Sequence, residues 1–275
     1  MAIYQEAMQT LKLTSRTFYL PIVRLPKGIR EAVASGYLCL RAIDEVEDHP
    51  TLEAEHKAKI LQKINWLLQS QTSVDTFAHQ VLETALLEYY NVLPEVTLRI
   101  GEWACLAPTF IAPRIWEATA TMAGRMAHWA TNGFEVLSIA DLDRYTYGVA
   151  GSVGLLLCDL WAWFEKIQIH RTHAIQFGRG LQTVNILRNR NEDMVRGVNF
   201  FPKDWNEKRM FAYARENLDS FSTYAKTLPK STFMSFVAIP RALAYATLNV
   251  LERGEKKLSR SAVLNIVQEL EQERD

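Results

Sequence analysis

The stretch Gln182–Pro202 reads QTVNILRNRNEDMVRGVNFFP, and its spacing governs how the rest of the chain is read. Asn185, Asn189 and Asp193 recur every four residues, so on a helix they form one slowly drifting stripe that begins at Gln182. Arg188 and Glu192 lie beside the stripe, and Leu181, Val184, Ile186 and Leu187 supply an apolar side. Oxygen donors along a half-buried helix suit a hard cation. Mg2+ commonly takes a few protein oxygens and completes its shell with waters and phosphate oxygens. Amide oxygens can ligate but bring no charge, so Asn189 stands out as neutral where a carboxylate is expected.

A second acidic group lies about half a chain earlier. Tyr37 to Asp48, YLCLRAIDEVED, reads as a continuous helix that ends before Pro50. Asp44 and Asp48 are four residues apart and share a face, where like charges repel by a few tenths of a kcal/mol unless a cation screens them. Arg41 stands one turn upstream and Tyr37 one turn before that. An isolated pair of this kind is usually a solvated helix end. Here the upstream half is apolar, and two such oxygen clusters together point to magnesium held for a phosphorylated substrate.

Two further segments carry weaker signals. Arg144–Gly154, RYTYGVAGSVG, places small residues at near-helical spacing, which requires either tight helix contact or room for a ligand along an apolar wall. Ser15, Arg16 and Thr17 precede a helix-capable run. They suit either an N-cap or a grip on phosphate oxygens. His170 and His173 are spaced three apart with no acidic partner and read as surface residues. The tryptophans 103, 116, 129, 161 and 163 read as core.

Bulk properties exclude several classes. The 275 residues carry 31 basic and 31 acidic side chains, so no overall field attracts nucleic acid. Cys39, Cys105 and Cys158 are too scattered for a disulfide framework or a metal site and are expected to be buried thiols in a reducing cytoplasm. The N-terminus lacks the order of a signal peptide. Gly148–Phe164 is short for a membrane span and reads as a fully buried helix, while peripheral association with a membrane stays open. Oligomeric state is not readable.

Helical periodicity runs through nearly every segment. One apolar stripe uses Leu61, Ile64, Trp66, Leu67 and Leu68, and another uses Phe77, Val81, Leu82, Ala85 and Leu86. The nine prolines fall mostly at expected helix ends, and alternating strands are absent. The expected architecture is all-α, one domain over residues 1–275 with ten or so helices.

The order of these segments resembles the squalene/phytoene synthase family. RAIDEVED, YTYGVAGSVG and GRGLQTVNILRNRNEDMVRG stand in the family order and at its spacing, over most of the chain. The resemblance implies an isoprenoid synthase fold around a deep apolar channel, with two acid-rich helices at its mouth holding Mg2+ against a farnesyl or geranylgeranyl diphosphate. Carried over by position, Asp44 and Asp48 are the first metal pair, and Asn185, Asn189 and Asp193 are the second group. Ser15, Arg16, Thr17, Arg41 and Arg188 are implied diphosphate contacts. Tyr145 matches a tyrosine near the departing diphosphate and Gln182 a polar residue beside the channel, while Tyr37 and Tyr245 are further active-site tyrosines. NADPH enters only for a true squalene synthase.

The chain departs from the family pattern where DxxED becomes Asn189-Arg190-Asn191-Glu192-Asp193, and where RGRxY becomes Arg196-Gly197-Val198-Asn199-Phe200. One negative charge is lost and Arg190 adds a positive one. The expectation is therefore a farnesyl diphosphate phosphatase, in which one substrate ionises and water completes the reaction to farnesol. The alternative is head-to-head condensation of two prenyl diphosphates to squalene, dehydrosqualene or phytoene. A binding or assembly homologue without activity is the remaining class.

Overall fold

A computed structural model of the chain describes residues 2–70, 86–133 and 136–272. The side chain of Arg16 and most of the helix expected around residues 77–90 lie outside the described residues. Among those described, the chain is helical throughout and forms no β-strand. By its contacts it divides into two compact units, Met1–Gly133 with Leu156–Ile169, and Phe134–Leu155 with His170–Asp275.

The first unit contains α1 (Ala2–Thr14), α2 (Arg16–Val23), α3 (Ile29–Glu47), α4 (Ala54–Gln69), α5 (Glu95–Leu98), α6 (Ile100–Ala104) and α7 (Ala112–Asn132). Helix α3 buries Ile29, Val33, Leu38, Cys39, Ile43 and Val46. Its backbone is bolted to its neighbours by polar groups that would be costly to leave unpaired. Ser35 Oγ donates to Trp103 O at 2.7 Å, and Thr97 Oγ1 donates to Ala42 O at 2.8 Å. The buried indoles are satisfied in the same way, Trp103 Nε1 by Val96 O at 2.9 Å and Trp116 Nε1 by Ala104 O at 3.0 Å. Each such bond contributes about 1 kcal/mol net, and each large apolar side chain about 1.5–3 kcal/mol. The result is a rigid α3 whose acidic end is held in place by its apolar start.

Helix α4 corrects one expectation. Its buried face is Ala58, Ile60, Leu61, Ile64, Leu67 and Leu68, while Trp66 is 69% exposed. Trp66 is two residues past Ile64, about 200° around the helix, and so faces outward. Trp103, Trp116 and Trp161 are core as expected. Cys39 and Cys158 are buried and Cys105 only half-buried; burial raises the Cys39 thiol and pushes Cys105 up to about 11.

The second unit contains α8 (Ile139–Thr146), a π-helical turn (Tyr147–Gly151), the start of α9 (Ser152–Phe164), α10 (Arg171–Val195), α11 (Glu207–Ala225), α12 (Thr232–Glu252) and α13 (Arg260–Gln272). The small residues of RYTYGVAGSVG are explained by backbone crossing. A Cβ on Gly178 would lie 2.4 Å from Ala150 O, and one on Gly154 would lie 2.2 Å from Ala174 O. The glycines therefore serve tight helix contact, and the expectation of an apolar wall is not needed to explain them. Phe177 stacks on Phe221 at 4.4 Å, and Phe221 meets Phe233 edge-on at 6.3 Å, forming an aromatic core between α10, α11 and α12.

Three other expectations shift. Gly148–Phe164 is not one uniform buried helix: it starts in the π turn, and several residues, Asp159 among them, are only half-buried. Pro21 and Pro240 sit inside α2 and α12 rather than at helix ends. Two helical stretches, Ile139–Phe164 and Thr232–Glu252, are long and apolar enough to cross a membrane by length and composition.

Candidate active site

The first unit brings Ser15, Tyr37, Arg41 and Asp44 together, with Asp48 at the end of the same helix as the last three. Asp44 lies in the last turn of α3, and Asp48 is its C-cap, with Asp48 N donating to Asp44 O at 2.9 Å. Arg41 Nη1 donates to Asp44 Oδ2 at 2.6 Å, and its Nη2 donates to Glu45. Burial, reinforced by the neighbouring Asp48 charge, pushes the Asp44 carboxyl up to about 6 despite Arg41. Tyr37 sits one turn deeper. Burial raises its phenol, and the Ser15 hydroxyl and Arg41 partly offset the rise. Ser15 is the N-cap of α2, accepting from Phe18 N at 3.2 Å, and the Phe18 ring stands 5.6 Å from Tyr37. Thr17 is exposed on the first turn of α2.

A half-buried Asp44 beside an exposed Asp48, with Arg41 shared between Asp44 and Glu45, is short of positive charge. Its donors are hard oxygens, so Asp44 and Asp48 fit a Mg2+ ion completed by water and phosphate oxygens.

The second unit presents the amide stripe of α10. Gln182 Oε1 accepts from Asn185 Nδ2 at 3.5 Å, and Asn189 Oδ1 accepts from Arg188 Nε at 3.1 Å. Asp193 is buried, with Arg196 Nη2 at 2.5 Å from its Oδ1. Helix α10 ends there because Gly197 takes φ 76°, which lets Val198 N reach back to Asp193 O at 2.9 Å. This half offers amide oxygens and one carboxylate that already has an arginine. It suits a cation only when the ligand brings its own negative charge. Among the described residues no three His, Cys, Asp or Glu side chains converge on a metal position.

Arg190 departs from its expected role. Its Nη1 lies 2.5 Å from Glu207 Oε1, and its guanidinium stacks 4.2 Å above Phe201. The charge added by Arg190 is thus neutralised beside α11 rather than delivered to the stripe.

Tyr145 is 4% exposed and stacks on Phe200 at 4.5 Å with rings 24° apart. Tyr245 donates to Asp219 Oδ1 at 2.6 Å and lies 3.0 Å from Ser222 Oγ. Among the described residues no hydrogen bond joins it to the α10 stripe. His173 Nδ1 lies 2.9 Å from Ser220 Oγ and its ring stacks on Tyr224 at 4.8 Å, so this histidine packs α10 against α11. Sequence reasoning missed Phe200, Asp143 and Tyr213. Each acts through a partner far along the chain, and no local spacing signals it.

An all-α chain with an acid-ended helix and a polar stripe on a second long helix is the architecture of the isoprenoid synthase fold. A family model described as squalene/phytoene synthase matches residues 11–210, and the chain belongs to that family. It is 30% identical over 279 residues to the squalene synthase of Schizosaccharomyces pombe, covering 90% of this chain and 59% of that protein. The squalene synthase of Homo sapiens is 29% identical over 271 residues, with 86% and 61% covered. The chain thus spans about three fifths of the length of these curated relatives. A ligand complex of TcSQS superposes with a TM-score of 0.76 at 25% identity, over 96% of this chain and 84% of that one. A dehydrosqualene synthase shares the fold with a TM-score of 0.65 at 18% identity, over 98% and 96% of the two chains.

Proposed function

We propose that this chain condenses two prenyl diphosphates head to head, in the manner of a squalene or dehydrosqualene synthase. The observation that carries this over the hydrolytic expectation is the Arg190–Glu207 pair, because it takes the added positive charge away from the stripe. The names of the relatives support the same direction.

By family position, Asp44 and Asp48 in the first unit and Asn185, Asn189 and Asp193 in the second would each hold Mg2+, which when bound supplies positive charge to a leaving diphosphate. By family position Arg41 and Arg188 each offer donors to a diphosphate, and Ser15 and Thr17 at the start of α2 are assigned as further contacts. Arg16 is assigned there by family position alone. Tyr145 and Tyr37 present phenols able to donate to the departing oxygen, and Gln182 orients Asn185. Tyr245, implied by family position, has its phenol bonded to Asp219 and Ser222 and is given no part in the reaction. Once the allylic C–O bond breaks with its electron pair leaving on the diphosphate, the double bond of a second substrate attacks the cation. Loss of a proton then closes a cyclopropyl intermediate. Water must be kept out, since it would capture the cation. A squalene product requires NADPH as hydride donor for the second stage, and a dehydrosqualene or phytoene product does not.

Hydrolysis to farnesol remains as a second function on one observation. Asn189 is neutral and its oxygen already accepts from Arg188. The deciding experiment is product analysis by mass spectrometry with farnesyl diphosphate and Mg2+, with and without NADPH. A C30 hydrocarbon supports condensation. Farnesol alone would overturn it, and absence of diphosphate release would point to a binding homologue. The relatives' substrates, any peripheral membrane attachment and a cytoplasmic location belong to this proposal as well.

A further inference from the structure

Three helices meet at Asp143, two residues before Tyr145 on α8. Tyr213 of α11, 7% exposed, donates its phenol to Asp143 Oδ1 at 2.5 Å. Arg179 of α10 donates through Nη2 to the Asp143 main-chain oxygen at 3.4 Å, and its Nη1 stands 3.9 Å from the Asp143 carboxylate. Burial and the Asp143 charge both raise the Tyr213 pKa, so the phenol stays a donor at neutral pH. Arg179 Nε is buried with no hydrogen-bond partner among the described residues, so the guanidinium is held in place mainly through Asp143.

The position of this cluster gives it consequence. Arg179 lies one turn before Gln182, at the head of the amide stripe. Tyr145 is gripped on its ring by Phe200 and, through the backbone, by Asp143. We infer that Asp143, Tyr213 and Arg179 are positioning residues: they lock the helix carrying Tyr145 to the helix carrying the stripe, and so set the distance between the Tyr145 phenol and a diphosphate held there. The inference rests on the proposed role of Tyr145. The polar cluster is also more than packing requires. An apolar contact at this junction would hold the helices without a part-buried carboxylate–phenol bond, but it would permit sliding, whereas a directional bond fixes register.

The test uses the full chain with Tyr213→Phe, which keeps the ring and removes the bond. We expect kcat to fall about tenfold or more, within the roughly hundredfold loss that a misplacement of about 1 Å can cause, with KM changed by no more than about twofold. In a Tyr145→Phe background the further loss from Tyr213→Phe should shrink below about twofold, because the two act through one group. Asp143→Asn keeps an acceptor for the phenol and should retain more activity than Asp143→Ala. A readout independent of turnover comes from 3-fluorotyrosine labelling, with the Tyr145 resonance assigned by its loss in Tyr145→Phe. That resonance should shift in Tyr213→Phe.

Equal fold-losses in both backgrounds, or an unmoved Tyr145 resonance beside a lowered melting temperature, would reduce the cluster to a structural tie and overturn the inference. If the native chain releases no diphosphate, the proposed function fails, and the fluorine spectrum still decides whether Asp143 and Tyr213 position Tyr145.

Discussion

Asn189 Oδ1 accepts a 3.1 Å hydrogen bond from Arg188 Nε, so the amide at the centre of the stripe already serves an arginine. Changing it to a carboxylate turns that bond into an ion pair and adds a charged oxygen ligand. Asn189→Asp should lower the half-saturating Mg2+ concentration for diphosphate release by about tenfold, equivalent to about 1.4 kcal/mol. A Mg2+ titration of native and variant chains checks this, and an unchanged midpoint would remove Asn189 from the metal group.

Arg190 supplies the internal control. Arg190→Ala breaks the contacts to Glu207 and Phe201. It should cost about 1 kcal/mol of stability and leave the Mg2+ midpoint where it was. A shifted midpoint with an unchanged melting temperature would return Arg190 to the site.

The Asp44 carboxyl is raised from 3.8 to about 6 in the fold, so the unfolded chain releases this proton first. In chelator, the metal-free fold should therefore lose stability as pH rises from 3.8 to about 6 and not regain it above. Mg2+ should restore stability above pH 6 and do little below it, because the proton and the cation compete for the same carboxylate. Melting curves across this range check the limb. If Asp44→Asn shows the same slope, another group is responsible.

Gly178→Ala places a methyl group against the Ala150 carbonyl, which is backbone and cannot swing aside. The expected loss is about 1–3 kcal/mol, the usual scale for overpacking. Chemical denaturation measures it. An unaltered midpoint would mean that the two helices cross more loosely than the structure has them.

Tyr245→Phe removes a phenol bonded to Asp219 and Ser222. Stability should fall by about 1 kcal/mol while kcat stays within about twofold of native. Steady-state kinetics beside a melting curve separates the two effects, and a large fall in kcat at constant stability would put Tyr245 against the substrate.

Periodicity made α3 and α10 legible because both carry long apolar faces that a 3.6-residue repeat exposes directly. The cluster of Ser15, Tyr37, Arg41 and Asp44 was legible in part: three of the four lie on one helix face, and only Ser15 arrives from elsewhere. The Arg190 charge was misjudged because a side chain's direction depends on partners such as Glu207, seventeen residues on. The Tyr213–Asp143 bond joins residues seventy apart and leaves no trace in local pattern. The π turn at Tyr147–Gly151 escaped for a related reason, since a helical repeat in sequence does not separate one hydrogen-bond register from another.

The crossing of Gly178 over Ala150 also limits how this chain can change. What faces Gly178 is the main-chain carbonyl of Ala150, so no side-chain change at position 150 can make room for a Cβ at position 178. The same holds for Gly154 against Ala174. Libraries meant to alter product length would do best to leave Gly154 and Gly178 untouched and to vary side chains elsewhere. At this junction adaptation has nowhere to go but through the backbone itself.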